Sequence, residues 1–304
     1  MTDAALPGFV VPVAEAEIDR LIAEDAGFGD LTTTALGIGG QPAVMSFAAR
    51  QPLVACGTEE AARLLRRLGA AARVLAPSGT IAPAGTILLE ASASAAVLHA
   101  GWKAAQTLVE WSSGVASTVR DVLLAARAVN PRIVVACTRK AVPLTRALSV
   151  KAVRAGGGAM HRTGLADTVL LFPEHRAFLP DEDAAALIAR LRAAAPERRL
   201  VVEVTDLEAA RRFAAAGADV LQLEKFAPAA VAEVAAALTG LGPRPVLAAA
   251  GGITPANAAA YAAAGADVLV TSSPYYAGPR DVQVRLGPAG GGAAPSGEAL
   301  PAAG

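Results

Sequence analysis

The sequence predicts an α/β fold: a closed or nearly closed parallel α/β barrel preceded by an α+β domain with an antiparallel sheet. Three observations predict it. From about Val97 onward, short apolar runs rich in β-branched residues alternate with helical segments, the pattern of a parallel sheet covered by helices. Two stretches, FAAAGADVLQLE from Phe213 and YAAAGADVLVTS from Tyr261, repeat one helix–Gly–strand grammar with a further strand between them, as successive units of a barrel do. No GxGxxG follows the first strand of the series, which argues against an open, doubly wound dinucleotide-binding sheet.

The elements follow in order. PVAEAEIDRLIAEDA reads as a helix with Ile18, Leu21 and Ile22 on one face, and GFGDLTT as a turn. AVMSFAARQPLVACG reads as one or two strands broken at Pro52. TEEAARLLRRLGA is an amphipathic helix with Thr58 as its expected N-cap and Gly69 as its stop. Turns at Gly79 and Gly85 then separate further strands, and AVLHAGWKAAQTLVEWSSGVASTVRDVLLAARAV is helical. The barrel strands are RIVVACT, DTVLLF, RLVVEVT, DVLQLE, PVLAAA and DVLVTS, and Gly217 and Gly265 stand where helix C-termini are expected. After Leu286 the segment GPAGGGAAPSGEALPAAG has too little apolar pattern to pack, so residues 287–304 are expected to be disordered.

Composition excludes other classes. With 304 residues, 54% hydrophobic and 18% charged, the chain can bury a sizeable core, and with 4% aromatics that core is aliphatic. A formal net charge of zero argues against a nucleic-acid-coating protein, though not against a local basic pocket. Cys56 and Cys137 make no disulfide framework, and a reduced cytoplasmic compartment is expected. Neither a signal peptide nor a run of ~18 apolar residues is evident, so no membrane partner is expected.

In a parallel barrel, chemistry gathers at the C-terminal ends of the strands. Those positions hold Thr138, Arg139 and Lys140 after the first strand, Glu203 near the end of the third, and Glu224 at the end of the fourth. Ala250, Gly251 and Gly252 end the fifth, and Thr271, Ser272 and Ser273 the sixth. Arg139 and Arg162 can clamp a carboxylate or phosphate in bidentate fashion, with Lys140 as a point charge and His161 beside them. Gly251 and Gly252 let backbone N–H groups approach a phosphate at the start of the TPANAAAYAAA helix. Glu203 and Glu224 suit ribose hydroxyls or a hydrated Mg²⁺. Taken singly, TRK also reads as a solvated loop, GGGAMHR as a plain connection and Gly-Gly as a common turn. Glu203, a carboxylate within an apolar strand, needs a partner or a function. Cys137 reads as a small buried residue, not a nucleophile.

Together, TRK (138–140), KAVRAGGGAMHRTGLAD (151–167), EV, QLE, AAAGGIT and GADVLVTS, with EDAGFGDLTT near the start, resemble the quinolinate phosphoribosyltransferase family (nicotinate-nucleotide pyrophosphorylase, carboxylating). The resemblance runs to about residue 286. It implies an N-terminal α/β sandwich domain over 1–110, rejoined by a strand at 280–286, and an incomplete, TIM-like α/β barrel over 111–279. It implies condensation of phosphoribosyl pyrophosphate with quinolinate, with Mg²⁺, releasing pyrophosphate and CO₂. It also implies a homodimer or larger homo-oligomer in which one subunit closes the site of the next. Carried over residue by residue, Lys140, Glu203 and Glu224 are the expected catalytic residues, the last in place of the family's aspartate. Substrate contacts are expected from Thr138, Arg139, Lys140, Lys151, His161, Arg162 and His175. The phosphates are expected at Ala250, Gly251, Gly252, Thr271, Ser272 and Ser273, and Mg²⁺ at Glu203 and Glu224, directly or through water.

The departures from that family lie on one side of the reaction. Its KDNH run reads Phe172, Pro173, Glu174 and His175 here, so the lysine that meets the dicarboxylate is gone. Its Glu-Arg pair on the long helix reads Gly101 and Trp102, with Lys103 next. HAGWKAAQTL and LLFPEHRAFL look like the ModD branch, associated with molybdenum-transport genes. The expected function is transfer of phosphoribosyl to an aromatic or heterocyclic acid less anionic than quinolinate. The alternatives are true quinolinate activity, with Lys103 or Arg176 replacing the lost cations, and a non-catalytic binding protein for an oxyanion or a molybdenum-related ligand.

Overall fold

The structure, a computed structural model, describes residues 13–290. They divide into two units: residues 13–114 with 278–290, and Val115–Ala277.

In the first unit, α1 (Glu15–Ala26) buries Ile18, while Leu21 and Ile22 are half-buried. Within GFGDLTT a short helix forms, α2 (Leu31–Ala35), because the Asp30 carboxylate accepts from the Thr33 N–H at 3.1 Å and caps it. Strands β1 (Pro42–Ala49) and β2 (Leu53–Val54) follow, then α3 (Thr58–Arg67). Thr58 is not the cap of α3: that position is Gly57, at φ 77°, and the Thr58 hydroxyl donates instead to the Ala76 carbonyl at 2.9 Å. The Ala76 acceptor, remote in sequence, wins the hydroxyl. Next come β3 (Ala71–Val74), β4 (Ile81–Ala82), β5 (Ile87–Ser94) and the long α4 (Ala95–Arg127), whose residues from Val115 belong to the second unit.

The antiparallel sheet of this unit has the order β13-β1-β5-β3, with β13 at Val282–Pro288. The expectation of a tail beginning at residue 287 is therefore corrected. Gly287 and Pro288 pair with Val44 and Ala43, and the Ala289 N–H donates to the Pro42 carbonyl at 2.8 Å. Main-chain pairing along β1 holds this segment, and it needs no apolar side-chain pattern. The remainder of the expected tail, 291–304, lies outside the described residues.

The second unit contains β6 (Val134–Cys137), α5 (Arg146–Ala155), β7 (Ala159–Met160), β8 (Val169–Leu171), α6 (Pro173–Arg176), α7 (Ala184–Ala194) and β9 (Leu200–Val204). It continues with α8 (Leu207–Ala215), β10 (Val220–Glu224), α9 (Pro228–Ala237), β11 (Val246–Ala250), α10 (Ala258–Ala263) and β12 (Val268–Thr271). All strand pairs are parallel, in the order β7-β6-β12-β11-β10-β9-β8. Chain order thus runs around a ring that is open between β7 and β8, which makes an incomplete barrel and not a doubly wound sheet.

The GAD repeat has a structural reason. Asp219 accepts from the Leu200 N–H at 2.7 Å and Asp267 from the Leu247 N–H at 2.8 Å, so each pins the start of a neighbouring strand. The preceding Gly217 and Gly265, at φ 91° and 92°, turn the chain out of the helices. Side chains alternate across the strands. On β10, Leu221 and Leu223 are buried in the main core with Phe213 and Val231, while Gln222 and Glu224 line the barrel interior. On β11 the inward positions Ala248 and Ala250 are small and leave space there.

Candidate active site

The strand ends of the second unit enclose a cavity of about 1030 Å³. Thr138, Arg139 and Lys140 line it from the loop after β6, His161 and Arg162 from the loop after β7, and His175 from α6. Glu203 and Glu224 face it from β9 and β10, and Ala250, Gly251, Gly252, Thr271, Ser272 and Ser273 from β11 and β12. Lys151 is not among the lining residues; it lies on α5. Its nearness in sequence to the Gly156–Gly158 run does not carry it to the cavity.

The TRK loop is fixed by residues that the sequence pattern did not single out. The Tyr275 hydroxyl donates to the Thr138 carbonyl at 2.9 Å, and Tyr276 to the Lys140 carbonyl at 3.1 Å. Arg146 donates to the Arg139 carbonyl at 2.8 Å and to the Thr163 carbonyl at 3.2 Å, joining this loop to the segment after Arg162. The Lys140 N–H donates to the Thr138 hydroxyl oxygen at 3.1 Å. Tyr275 is 2% exposed, and burial raises its phenol well above the ordinary range, so it stays a neutral donor.

Burial, and then the charge of Arg162, lower the His161 pKa below its ordinary value and so favour the neutral imidazole. The cations are Arg139, Lys140 and Arg162. Arg162 is only 9% exposed, and burial and the neighbouring Arg139 both work against its charge. A bound anion would relieve that cost. Its guanidinium Cζ lies 5.7 Å from the centroid of the Phe172 ring, and Phe172 in turn stacks with His175 at 5.7 Å between centroids. The His175 Nδ1 accepts from the Phe172 N–H at 3.0 Å. An aromatic face therefore stands where the resembling family has a lysine. Cys137 is fully buried, and burial pushes its thiol up to about 12, so it is no nucleophile.

On the opposite side, Gly251 and Gly252 both adopt the left-handed region, at φ 92° and 71°. A Cβ on Gly251 would stand 2.9 Å from Lys225 Cγ and 3.2 Å from Lys225 N, so both conformation and space demand glycine there. The helix after them begins only at Ala258, and the Thr254 N–H is already taken by Asn257 Oδ1 at 2.8 Å. The Thr254 N–H is thus engaged within the chain, and the expected phosphate donors narrow to the N–H groups of the glycine turn. Thr271 also has a narrower part than expected: its hydroxyl donates to the Ile253 carbonyl at 2.7 Å and accepts from the Ser273 N–H at 3.1 Å. It braces the loop that presents Ser272 and Ser273.

Glu203 is held above its ordinary pKa, first by burial and then by the charge of Glu224, against a lowering hydrogen bond from Gln222. Among the described residues no group of three or more His, Cys, Asp or Glu side chains could hold a metal ion. Two carboxylates fit Mg²⁺ only in the manner in which it is bound jointly by protein and substrate phosphates. A divalent cation would offset the repulsion that raises Glu203.

Residues 115–285 match the family model of the quinolinate phosphoribosyl transferase C-terminal domain, and residues 30–113 that of the N-terminal domain. The chain belongs to the quinolinate phosphoribosyltransferase family. It is 53% identical to the ModD protein of Rhodobacter capsulatus over 249 residues, covering 81% of this chain and 95% of that one. It is 42% identical to ModD of Escherichia coli O6:H1 over 278 residues, covering 91% and 98%. Among solved structures, NadC from Streptococcus pyogenes superposes with a TM-score of 0.81 at 26% identity, covering 90% and 96%. As a family member the chain is a phosphoribosyltransferase-type protein. Among its described residues no helix is long and apolar enough to cross a membrane.

Proposed function

We propose that this chain transfers the phosphoribosyl group of phosphoribosyl pyrophosphate to an aromatic or heterocyclic acid less anionic than quinolinate. The observation that carries this reading is one cavity holding Arg139, Lys140 and Arg162 against Glu203, Glu224 and the Gly251–Gly252 turn, with Phe172 beside the cations. In the reaction the bond from the anomeric carbon to pyrophosphate breaks, and pyrophosphate leaves with the electron pair. A nucleophilic atom of the acceptor forms the new bond to that carbon. Glu203 and Glu224 face the developing positive sugar, a preorganised electrostatic role. Mg²⁺, held by Glu203 and Glu224 directly or through water, would supply neutralisation of the pyrophosphate charge. Arg139, Lys140 and Arg162 anchor the acidic group of the acceptor, and neutral His161 adds a hydrogen bond. Phe172 offers a flat face to its ring.

The second reading, formation of nicotinate mononucleotide from quinolinate, is favoured by the likeness to NadC. It requires more positive charge for the second carboxylate. Arg176 packs its guanidinium 5.1 Å from the Phe213 ring centroid and interacts electrostatically with the carboxylates of Glu203, Asp206 and Glu174. Lys103 stands over Trp102 at 4.0 Å and donates to Gln106. A thermal-shift screen with phosphoribosyl pyrophosphate, Mg²⁺ and a panel of aromatic mono- and diacids separates the two. Stabilisation by monoacids above quinolinate supports the first reading; a response to quinolinate alone, with nicotinate mononucleotide as product, replaces it with the second.

A further inference from the structure

Glu174 stands in the first turn of α6, is exposed, and lines the cavity. It falls where the resembling family's KDNH run has an asparagine, so a carboxylate takes the place of a neutral amide. Arg176 and Glu203 both feel its charge, but among the described residues no hydrogen bond or ion pair holds its carboxylate. The turn that carries it is braced on either side, because Phe172 and His175 stack and the His175 Nδ1 accepts from the Phe172 N–H. In the open cavity water satisfies this carboxylate. A ligand that fills this end removes that water, and the cost is recovered only if the ligand supplies a donor.

Strand order shows which part of a ligand that is. β11 and β12 are neighbours, and their ends carry the expected phosphate side, Gly251, Gly252, Ser272 and Ser273. β8, which leads into α6, is the last strand of the series, with the opening of the barrel beyond it. Its end therefore lies across the ring from the glycines and serines. Between the two come β10 and β9, with Glu224 and Glu203, the carboxylates that face the sugar. Beyond the opening is β7, whose end carries Arg162 over the Phe172 ring. A ligand with its phosphates at β11 and β12 and its sugar beside β9 and β10 thus carries its acceptor ring to the end of β8, where Glu174 is.

We propose that Glu174 is a specificity-determining residue of the acceptor pocket: its carboxylate accepts a charge-assisted hydrogen bond from an amino group on the acceptor ring. This rests on the phosphoribosyl-transfer reading of the site. It narrows the acceptor class to amino-substituted aromatic acids, held by their acid group at Arg139, Lys140 and Arg162 and by their amino group at Glu174. A second carboxylate at that edge meets a like charge and is repelled, which gives the pocket a reason to refuse a diacid beyond the loss of a cation. A site built around such a bond also discriminates against analogues that lack the donor.

The test titrates nicotinate and its amino derivatives at each free ring position into the full chain by calorimetry with Mg²⁺, and phosphoribosyl pyrophosphate separately. In the wild type, the amino acid substituted at one ring position binds roughly tenfold or more tightly than nicotinate. In Glu174→Ala that preference disappears. In Glu174→Lys it reverses, and the same compound binds more weakly than nicotinate. Absence of any preference in the wild type overturns the proposal. So does an equal gain at every ring position, the result of a diffuse negative field and not of a contact. Survival of the preference in Glu174→Ala, or its failure to reverse in Glu174→Lys, overturns it as well. A wild type that does not bind phosphoribosyl pyrophosphate is a separate result, and it removes the underlying reading.

Discussion

The guanidinium of Arg162 lies over the ring of Phe172, its Cζ 5.7 Å from the ring centroid. This pair defines what distinguishes the site from the quinolinate-using pattern. A buried cation is kept, and the second cation beside it is replaced by an aromatic face. Substituting Phe172→Lys should restore affinity for a dicarboxylate. A desolvated charge contact is worth on the order of 2–5 kcal/mol, and the proximity of Arg162 reduces that, so a gain of about tenfold in quinolinate binding is expected. Calorimetry with quinolinate on the wild type and the variant gives the answer; equal affinities would show that Phe172 does not occupy the dicarboxylate position.

Glu203 gives the pH dependence. Its pKa is raised, so on acidification it protonates before an ordinary carboxylate would. If its charge stabilises the sugar, the acid limb of pyrophosphate release falls above the ordinary glutamate value. Glu224 contributes to the shift through its like charge. In Glu224→Gln the limb should therefore move to lower pH, whatever happens to the plateau rate. The sign for stability follows from the same shift: the folded state holds this proton more tightly than the unfolded state, so Glu203 opposes folding at neutral pH and the opposition fades as pH falls through its folded pKa. Glu203→Gln should accordingly raise Tm at pH 7 and change it little in acid. A pH–rate profile of Glu224→Gln that superimposes on the wild type contradicts the coupling.

Tyr275 is expected to matter although it is not a lining residue of the cavity. Removing its hydroxyl in Tyr275→Phe takes away the donor to the Thr138 carbonyl, at a cost of about 1 kcal/mol in unfolding free energy. Because that carbonyl belongs to the TRK loop, affinity for phosphoribosyl pyrophosphate should fall with it. Urea denaturation and calorimetry on one preparation report both; a destabilised protein with unchanged affinity would confine Tyr275 to stability.

The two glycines of the β11 turn should respond differently. Gly252→Ala meets no atom within 4 Å and bears only the left-handed backbone, costing about 1 kcal/mol. Gly251→Ala bears the same strain and also pushes against Lys225, including its backbone nitrogen at 3.2 Å, so it should cost roughly 1–3 kcal/mol more. Equal denaturation midpoints for the two variants would contradict the packing account.

The barrel was legible because each strand–helix unit repeats one pattern, and the cavity because chemistry at strand ends is a positional rule. Arg139, Glu203 and Gly251 could be read from that rule alone. β7, two residues long, leaves no periodic signal, so the seventh strand could not be read. Tyr275, Tyr276 and Arg146 act on main-chain carbonyls, and an acceptor present at every residue marks no partner in the sequence. Lys151 stands in a motif that the resemblance assigns to substrate, yet it lies on α5 and is not among the residues lining the cavity. Gln222 carried the same signal as Glu203, a polar side chain at an inward position of an apolar strand, but a neutral amide marks no partner, and its bond to Glu203 exists only once the two strands pair. The charge state of His161 depends on burial and on Arg162, which only the packed structure supplies.

The central claim is phosphoribosyl transfer by one cavity with cations on one side and carboxylates on the other. The most direct test measures pyrophosphate release from phosphoribosyl pyrophosphate, with Mg²⁺ and the best-binding aromatic acid, for the wild type, Arg139→Ala and Glu203→Ala. Release by the wild type that falls at least a hundredfold in each variant is the predicted result. Release that continues undiminished in both variants, or none from a wild type that binds the acid, contradicts the account.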